Sequence, residues 1–532
     1  MTTLRPVPGW GTIPAALRAL AAEHPDVEVV ADGATRLRLA ALADQASAVA
    51  RALIAQGVER GDRVAVWAPN CWQWAVVAFG IWDAGAVAVP LSTRYKGIEA
   101  GTVLASTGAR TLLVAEGFLG TSYLGLLDAE YGGPDGARPF AGLPDLAHVV
   151  TLDAAPARPG ARPWDAFLAG ASRIPAAQAE RRARGVAPGD LAEILSTSGT
   201  TGAPKGVMID HAQLLRGYWD WAEVVTLSPG DRYPIVAPFS HGFGINAGLL
   251  ASVLRTATMV PIAAFDPDAA LALIERERLS VLAGPPTLFA RLLERPDLAA
   301  HDTSSLRVAI VGAASVPTEL VHRMRRHFAR VINAYGLIEG TVVSMTRETD
   351  PPDVIATTAG SPMPGVEVRI DRDPEPGERG EVLIRGYGVM RGYWRAPELT
   401  AAAIDTAGWL HTGDIGVLDA AGNLAIVDRK KDLFIVGGFN AYPAEIENLL
   451  LRHPDVGQAA VIGVPDGALG EVGWAYVVPA PGTQLDGAEL VAWARGAMSN
   501  YKVPRRVIVL DALPVNANGK VDKQALRVTA LN

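Results

Sequence analysis

Short apolar runs of β character alternate with helical spans through the first two thirds of the chain. This alternation limits the fold more than any other feature. Arg63–Trp67, Thr111–Val114, Ser280–Leu282, Val308–Val311 and Val331–Asn333 read as strands. Ala15–Ala22 and Leu39–Gln56 repeat apolar residues at helical spacing. Strands alternating with helices build largely parallel sheets covered by helices. Near Val354 the texture changes: VEVRI, GEVLIRG and NLAIVDR alternate apolar and polar residues between Gly and Pro, the pattern of antiparallel sheet. After Asp432 about 100 residues remain, a common size for one α+β domain. The chain is therefore expected to be α/β. Residues 1–428 would form a large N-terminal domain of two α/β subdomains plus a β-rich subdomain, and 429–532 a small α+β C-terminal domain, with a hinge at Asp428–Asp432. The stretch Ala154–Gly189, rich in Ala, Arg, Pro and Gly, reads as a surface excursion joining two subdomains, with a short helix near Trp164–Leu168.

Composition narrows the function classes. Hydrophobic residues make up 49% of the 532 and charged residues 20%, the balance of a folded globular protein. A net charge of -8 argues against a general nucleic-acid-binding surface. The single cysteine, Cys71, excludes an intrachain disulfide and a multi-cysteine metal site, fits a cytoplasmic location, and reads as a packing residue. The N-terminus lacks a charged start followed by an apolar core. The most apolar window, Trp74–Trp82, ends at Asp83 and is too short to span a bilayer. Neither a signal peptide nor a membrane span is expected, and the sequence assigns no oligomeric state.

One loop carries most of the chemistry. Residues 196–207 read Ser-Thr-Ser-Gly-Thr-Thr-Gly-Ala-Pro-Lys-Gly-Val, after the plausible strand LAEIL. Hydroxyl residues Thr197, Ser198, Thr200 and Thr201 mix with Gly199 and Gly202. A flexible loop with exposed N–H groups and hydroxyl donors can wrap phosphate oxygens, and Lys205 adds a fixed positive charge. It is not a Walker A loop, because Lys205 follows Pro204 and precedes Gly206.

With this loop the sequence resembles the adenylate-forming superfamily of acyl-CoA synthetases, peptide-synthetase adenylation domains and luciferases, over nearly the whole chain. Further ordered segments carry the resemblance. Asn333-Ala334-Tyr335-Gly336-Leu337-Ile338-Glu339 is similar to the family's Tyr-Gly-x-Thr-Glu pattern. It implies Tyr335 against adenine and Glu339 holding Mg²⁺, with Thr200 as a second metal contact. Ile338 replaces a threonine whose hydroxyl touches phosphate in the family, a loss of roughly 0.5–1.5 kcal/mol. Gly312-Ala313-Ala314-Ser315 resembles the small-residue turn beside adenine. Trp409-Leu410-His411-Thr412-Gly413-Asp414 resembles the segment whose aspartate grips the ribose hydroxyls, a role for Asp414 assisted by Arg429. Lys431 falls at the family's hinge. Pro514 to Lys520 resembles the C-terminal lysine motif, with Asn516 in place of a threonine. Lys520 would bridge carboxylate and α-phosphate as the acyl-AMP forms.

The resemblance also implies a second half-reaction. Val436–Glu447 is similar to the acyl-CoA ligase version of its motif, so the small domain would be mobile, withdrawing Lys520 and bringing Gly437, Gly438 and Phe439 to a channel for coenzyme A. Pro238-Phe239-Ser240-His241-Gly242-Phe243-Gly244 resembles the segment near the acyl site, which assigns His241 to catalysis in the acyl or pantetheine channel and places Trp219, Phe243 and Ala313 near the acid. No aspartate occurs from Pro238 to Gly248, unlike relatives that bind an α-amino group. The expected activity is ATP-dependent conversion of a small carboxylic acid to acyl-AMP, with pyrophosphate released and the acyl group passed to coenzyme A. An alternative is adenylation of nitrite for diazotisation of an arylamine without coenzyme A, kept open by Ile338 and by Asn333-Ala334 before Tyr335.

Overall fold

The computed structural model describes residues 4–136, 138–152, 159–198, 204–293, 295–312, 318–328, 330–371, 380–429, 434–441, 443–480, 482–514, 521 and 523–531. The chain divides into two compact units. The first comprises Met1–Thr93, Leu104–Ser196 and Gly206–Asp428; the second comprises Arg94–Val103, Thr197–Lys205 and Arg429–Asn532.

Two sheets of the first unit have the parallel cores expected from the alternating pattern. An eight-stranded sheet runs in the order Gly392–Tyr393, Pro204–Asp210, Leu191–Ser198, Val87–Pro90, Arg63–Trp67, Thr111–Val114, His148–Thr151, Ala161–Pro163. Its pairings from Leu191–Ser198 outward are parallel, and Gly392–Tyr393 pairs antiparallel with Pro204–Asp210. In a second sheet Val281–Gly284, Val308–Gly312 and Val331–Leu337 are parallel, then Thr341–Met345 and Ser361–Pro362 continue antiparallel. A four-stranded sheet joins Arg232–Ile235, Thr258–Pro261, Glu28–Asp32 and Thr35–Arg38. Val87–Pro90, Thr111–Val114 and Val281–Gly284 are buried along their whole length, which is why they read as nearly unbroken apolar runs. The helix Trp72–Asp83 buries every residue from Trp74 to Asp83.

The change of texture near Val354 marks a real change of architecture. Val366–Ile370, Gly380–Gly386, Leu410–Leu418 and Leu424–Arg429 form one sheet, and its first two pairings are antiparallel. The stretch read as an excursion is more regular than expected where described. It supplies the edge strand Ala161–Pro163 and two helices, Trp164–Ala169 and Ala176–Arg184. Ala179 and Ala183 are buried, so alanine at helical spacing is packing here, not linker composition.

The second unit is built on a five-stranded sheet. Phe439–Ala441, Phe434–Val436, Gly470–Pro479 and Val456–Asp466 lie in that order, and Arg506–Val509 pairs parallel with Gly470–Pro479. Its core gathers Phe434, Ile446, Leu450, Val461, Leu490 and Met498. Lys502 is 2% exposed inside this unit, with its ammonium 2.7 Å from Glu99 Oε1 and 2.5 Å from Glu445 Oε1. Among the described residues no helix is long and apolar enough to cross a membrane.

Candidate active site

Of the residues singled out in the sequence, Gly312 and Asn333 to Gly336 lie toward the carboxyl ends of neighbouring parallel strands, where open α/β sheets place ligands. Leu191–Ser198 ends at the Gly/Ser/Thr loop, and Pro204–Asp210, beside it in the sheet, leads away from the loop and carries Lys205, which is half-buried. Thr197 is half-buried near the end of the first strand. Gly199, Thr200, Thr201, Gly202, Ala313, Ala314, Lys431 and Lys520 lie outside the described residues, as do the side chains of Ser198 and Arg429.

Gly312 ends its strand in parallel register with Ala334, and a Cβ on Gly312 would stand 2.6 Å from the Ala334 carbonyl oxygen. Only a glycine lets the two strand ends approach this closely. Asn333 is buried. Its amide donates to the carbonyls of Thr358 at 2.9 Å and Ile355 at 3.4 Å, fastening the strand end to the helix Pro352–Thr357. Ala334 and Tyr335 are half-buried, and Gly336 is exposed. The Tyr335 hydroxyl donates to Asp414 Oδ2 at 2.6 Å, a charge-assisted bond that joins the second parallel sheet to the antiparallel one. Asp414 is 2% exposed and its own N–H donates to Thr412 Oγ1. The Gly413 N–H donates to Glu381 Oε1 at 3.0 Å, so Glu381 sets the turn that delivers Asp414.

Glu339 follows on the next turn and is half-buried, accepting a hydrogen bond from the Tyr393 hydroxyl at 3.2 Å. Tyr393 pairs with Val207, so its phenol links Glu339 to the strand Pro204–Asp210. Ile338 is half-buried and packs against the main hydrophobic core, where its side chain replaces hydroxyl chemistry with packing. Among the described residues no group of three or more His, Cys, Asp and Glu side chains could by itself hold a metal ion.

His241 sits on a tightly determined turn. The Asn70 amide donates to the carbonyls of Ile235 and Ala237 at 2.8 and 2.9 Å, and Asn70 Oδ1 accepts from the Phe239 N–H at 2.7 Å. After the turn, Phe243–Leu250 forms a π-helix, a rare element that recurs at functional sites. Gly244 is required there, since a Cβ would stand 2.0 Å from the Pro238 carbonyl oxygen. The imidazole is exposed, yet the protein around it lowers its pKa by desolvation. Its Nδ1 accepts from the Phe243 N–H at 3.2 Å, so the neutral ring carries its proton on Nε2.

Trp219 does not join this group. Its indole donates to the Arg5 carbonyl at 2.9 Å, lies under the Arg255 guanidinium and meets Trp10 edge to face, which makes it a clamp on the N-terminal segment. Cys71 is half-buried just before the helix Trp72–Asp83 and packs against the main core. Asn70, Glu381 and Tyr393 went unnoticed in the sequence; no motif marks them, because each acts on a partner far along the chain.

In the second unit Gly437 and Gly438 have φ of 55° and 85° and form the two-residue turn between Phe434–Val436 and Phe439–Ala441. Positive φ at both positions is the demand of the tight hairpin turn that fits strand twist. Phe439 is held between the Arg94 guanidinium, 3.7 Å from its ring centre, and the Tyr501 ring at 5.0 Å.

The family model for AMP-binding enzymes matches residues 17–394, and that for the AMP-binding enzyme C-terminal domain matches 445–520. A 7a-methyl-1,5-dioxo-octahydroindenyl propanoyl:CoA ligase of Rhodococcus jostii is 45% identical over 97% of this chain and 98% of its own. The ligase of the same name from Mycobacterium tuberculosis is 47% identical over the same shares. Among solved structures, an amide bond synthetase from Marinactinospora thermotolerans superposes with a TM-score of 0.82 at 29% identity, covering 97% of this chain and 99% of that one. These relatives do not favour the nitrite-adenylating alternative. The chain belongs to the AMP-binding enzyme family and is one of its acid–thiol ligases, activating a carboxylic acid with ATP as the acyl-AMP and passing the acyl group to coenzyme A.

Proposed function

We propose that the acid is a bulky alicyclic keto acid whose carboxylate hangs on a short side chain from fused rings. The observation that carries this reading is the 45% and 47% identity, over nearly the whole chain, to two ligases named for a propanoyl group on a dioxo-octahydroindene. The exposed His241 supports it. Uncharged, with Nε2–H as its donor, the ring suits an acid oxygen entering beside Phe243, and a neutral donor does not trap the carboxylate as an ion pair would.

The remaining roles follow from the resemblance of the motifs to those of the family. Ser198, Gly199, Thr200, Thr201 and Gly202 with Lys205 would hold the phosphates; Gly312, Ala313 and Ala314 with Asn333, Ala334, Tyr335 and Gly336 the adenine; Asp414 and Arg429 the ribose. Glu339, with Thr200, would hold Mg²⁺. One half-buried carboxylate without an acidic cluster fits an ion that takes most of its ligands from triphosphate and water. When bound, the ion offsets triphosphate charge. Lys520 delivers positive charge to the forming carboxylate–phosphate bond. Residues 429–532 then move about Lys431, and the Gly437-Gly438 turn with Phe439 borders the pantetheine arm. A cytoplasmic location supplies ATP and coenzyme A.

The test measures AMP release and product mass with ATP and Mg²⁺, each with and without coenzyme A, for a fused-ring keto propanoate, a cinnamate and a straight-chain fatty acid. The fused-ring acid is expected to give the highest kcat/KM and an acyl-CoA mass; preference for either of the others refutes the substrate class. Lys520→Ala is expected to slow adenylation by about 10²–10³-fold while sparing transfer from supplied acyl-AMP, and equal loss of both half-reactions refutes its role.

A further inference from the structure

Behind the His241 turn lies a buried polar pair that nothing in the reaction as described above uses. Glu193 is wholly buried in the strand Leu191–Ser198, five residues before that strand ends at the loop. Its Oε1 accepts a hydrogen bond from Asn246 Nδ2 at 2.7 Å. Asn246 is wholly buried in the π-helix Phe243–Leu250, directly after His241. The phenol of Tyr218, from the helix His211–Val224, neighbours the Asn246 side chain.

Two atoms of the pair remain, Glu193 Oε2 and Asn246 Oδ1, both buried and without a hydrogen-bond partner. As carboxylate and amide oxygens both are acceptors, and two buried acceptors left unmade are costly. A single proton on Oε2 would turn that atom into a donor, and Oδ1 is the unmet acceptor on the side chain that Glu193 already bonds. The backbone is packed tightly here: a methyl group on Gly242 would meet Leu195 Cδ1 at 3.3 Å and Asn246 Nδ2 at 3.8 Å.

We propose that Glu193, as the neutral acid, is a positioning residue for adenylation: its carboxyl and the Asn246 amide close a two-bond pair that fixes the strand entering the phosphate loop against the turn that carries His241. The pair sets the distance between the groups that hold the two reactants, phosphate on one side and acid on the other. This rests on the reading that the loop takes phosphate and that His241 lines the acid's cleft. The electrostatics agree. Burial pushes Glu193 up to about 7, against the smaller opposing effect of the Asn246 bond. Tyr218 is the titratable group that faces the pair, and burial raises its pKa too, so it stays uncharged. Above neutral pH the proton leaves, the Oε2–Oδ1 bond is lost and a charge appears between strand and helix.

The experiment is ATP–pyrophosphate exchange with the acid and no coenzyme A, from pH 6 to 9, on the full chain and on Glu193→Gln and Glu193→Ala. Glutamine keeps both bonds at every pH, because its amide accepts from Nδ2 and donates to Oδ1. Wild type is expected to lose exchange rate as pH rises through 7. Glu193→Gln should stay within threefold of wild type at pH 6.5 and lack that decline. Glu193→Ala should lower kcat at least tenfold while changing the KM for ATP less than threefold. The same alkaline decline in Glu193→Gln as in wild type overturns the proposal, and so does wild-type kcat in Glu193→Ala. If Glu193→Ala does not fold, the Glu193→Gln profile alone decides. Lys520→Ala run in parallel separates the two readings: its loss of exchange beside an unaffected Glu193→Ala sinks the positioning role alone, whereas its full activity sinks the site assignment beneath it.

Discussion

Lys502 offers the sharpest test of how the second unit is held together. Its ammonium lies between two carboxylates, and all three residues are nearly inaccessible, Lys502 at 2%, Glu99 and Glu445 at 5%. Ser499 adds a hydrogen bond from its hydroxyl to Glu99 Oε2 at 3.1 Å. Burial by itself lowers the lysine pKa, but the facing Tyr501, Glu99 and Glu445 outweigh it and raise it well above its ordinary value. Burial pushes Glu445 the other way from its usual acidity, upward, with Lys502 opposing. Lys502→Met conserves much of the volume and removes the cation, leaving two carboxylates in a site where neither is hydrated. Breaking one partner out of a buried ion pair costs about 3–5 kcal/mol. At roughly 1.4 kcal/mol per tenfold, amide exchange through opening of this unit should accelerate by about 10²–10³-fold. Hydrogen exchange followed by mass spectrometry on the helix Pro443–Leu450 and the strand Gly470–Pro479 reads this directly at pH 7. The sign with pH is fixed as well. Burial already raises Glu445 above its unfolded value, and without the lysine its main opposing charge is gone, so the stability this carboxyl contributes is present at low pH and lost as pH rises. The defect should therefore shrink below about pH 5, and adding Glu99→Gln and Glu445→Gln should recover much of it at pH 7. Exchange within tenfold of wild type at pH 7, or a defect equal at pH 5 and pH 8, would refute the reasoning.

Three further outcomes follow from the site. Asp414→Asn removes the charge from a buried acceptor bonded to Tyr335 and is expected to raise the KM for ATP about 10–100-fold, as loss of a charged hydrogen bond implies; an unchanged KM would deny Asp414 its ribose role. Gly438→Trp is expected to abolish acyl-CoA formation while ATP–pyrophosphate exchange stays within about threefold, since about 1–2 kcal/mol of strain at its φ of 85° acts on the turn and not on the nucleotide; unimpaired coenzyme A ligation would remove the channel from this turn. Ile338→Thr restores a hydroxyl and gives up part of a packed side chain, so kcat/KM for ATP should rise by up to about tenfold while stability falls by about 1 kcal/mol; a lower kcat/KM in a folded variant would show that the isoleucine is needed for more than packing.

What could be read in the sequence divides along physical lines. Elements whose period is enforced by burial on both faces were legible nearly to the residue: Arg63–Trp67 and Thr111–Val114 coincide with the observed strands, and Leu39–Gln56 differs from Leu39–Ala55 by one residue. Val331–Asn333 was read short because the strand continues to Leu337 through Tyr335 and Gly336, which carry no apolar run. In the stretch before Gly189 the helix expected near Trp164–Leu168 is present as Trp164–Ala169, but Ala176–Arg184 was not anticipated because alanine serves both loops and tightly packed helices, and only the partner surface distinguishes them. Trp219 was misplaced for a similar reason. An aromatic residue on a helix near an acid-binding segment carries no mark of which side it faces, and here the N-terminal segment took it.

The candidate site shows the same division more sharply. Groups proposed to meet a ligand must present particular atoms at particular spacings along one short segment, so Asp414, Glu339 and the Gly/Ser/Thr loop stand out in the chain itself. The groups that hold them have no such constraint. Tyr393 reaches Glu339 across 54 residues, Asn70 reaches Phe239 across 169, and Asn246 reaches Glu193 across 53. Each of those bonds can be made by any residue pair of the right length once the fold has brought its elements together, which is why no spacing announces them. A site of this kind is therefore specified twice. Short motifs fix what touches the nucleotide, and long-range buried polar pairs fix the distances between motifs. A Glu193→Ala chain with every motif intact and adenylation impaired would show the second specification acting alone.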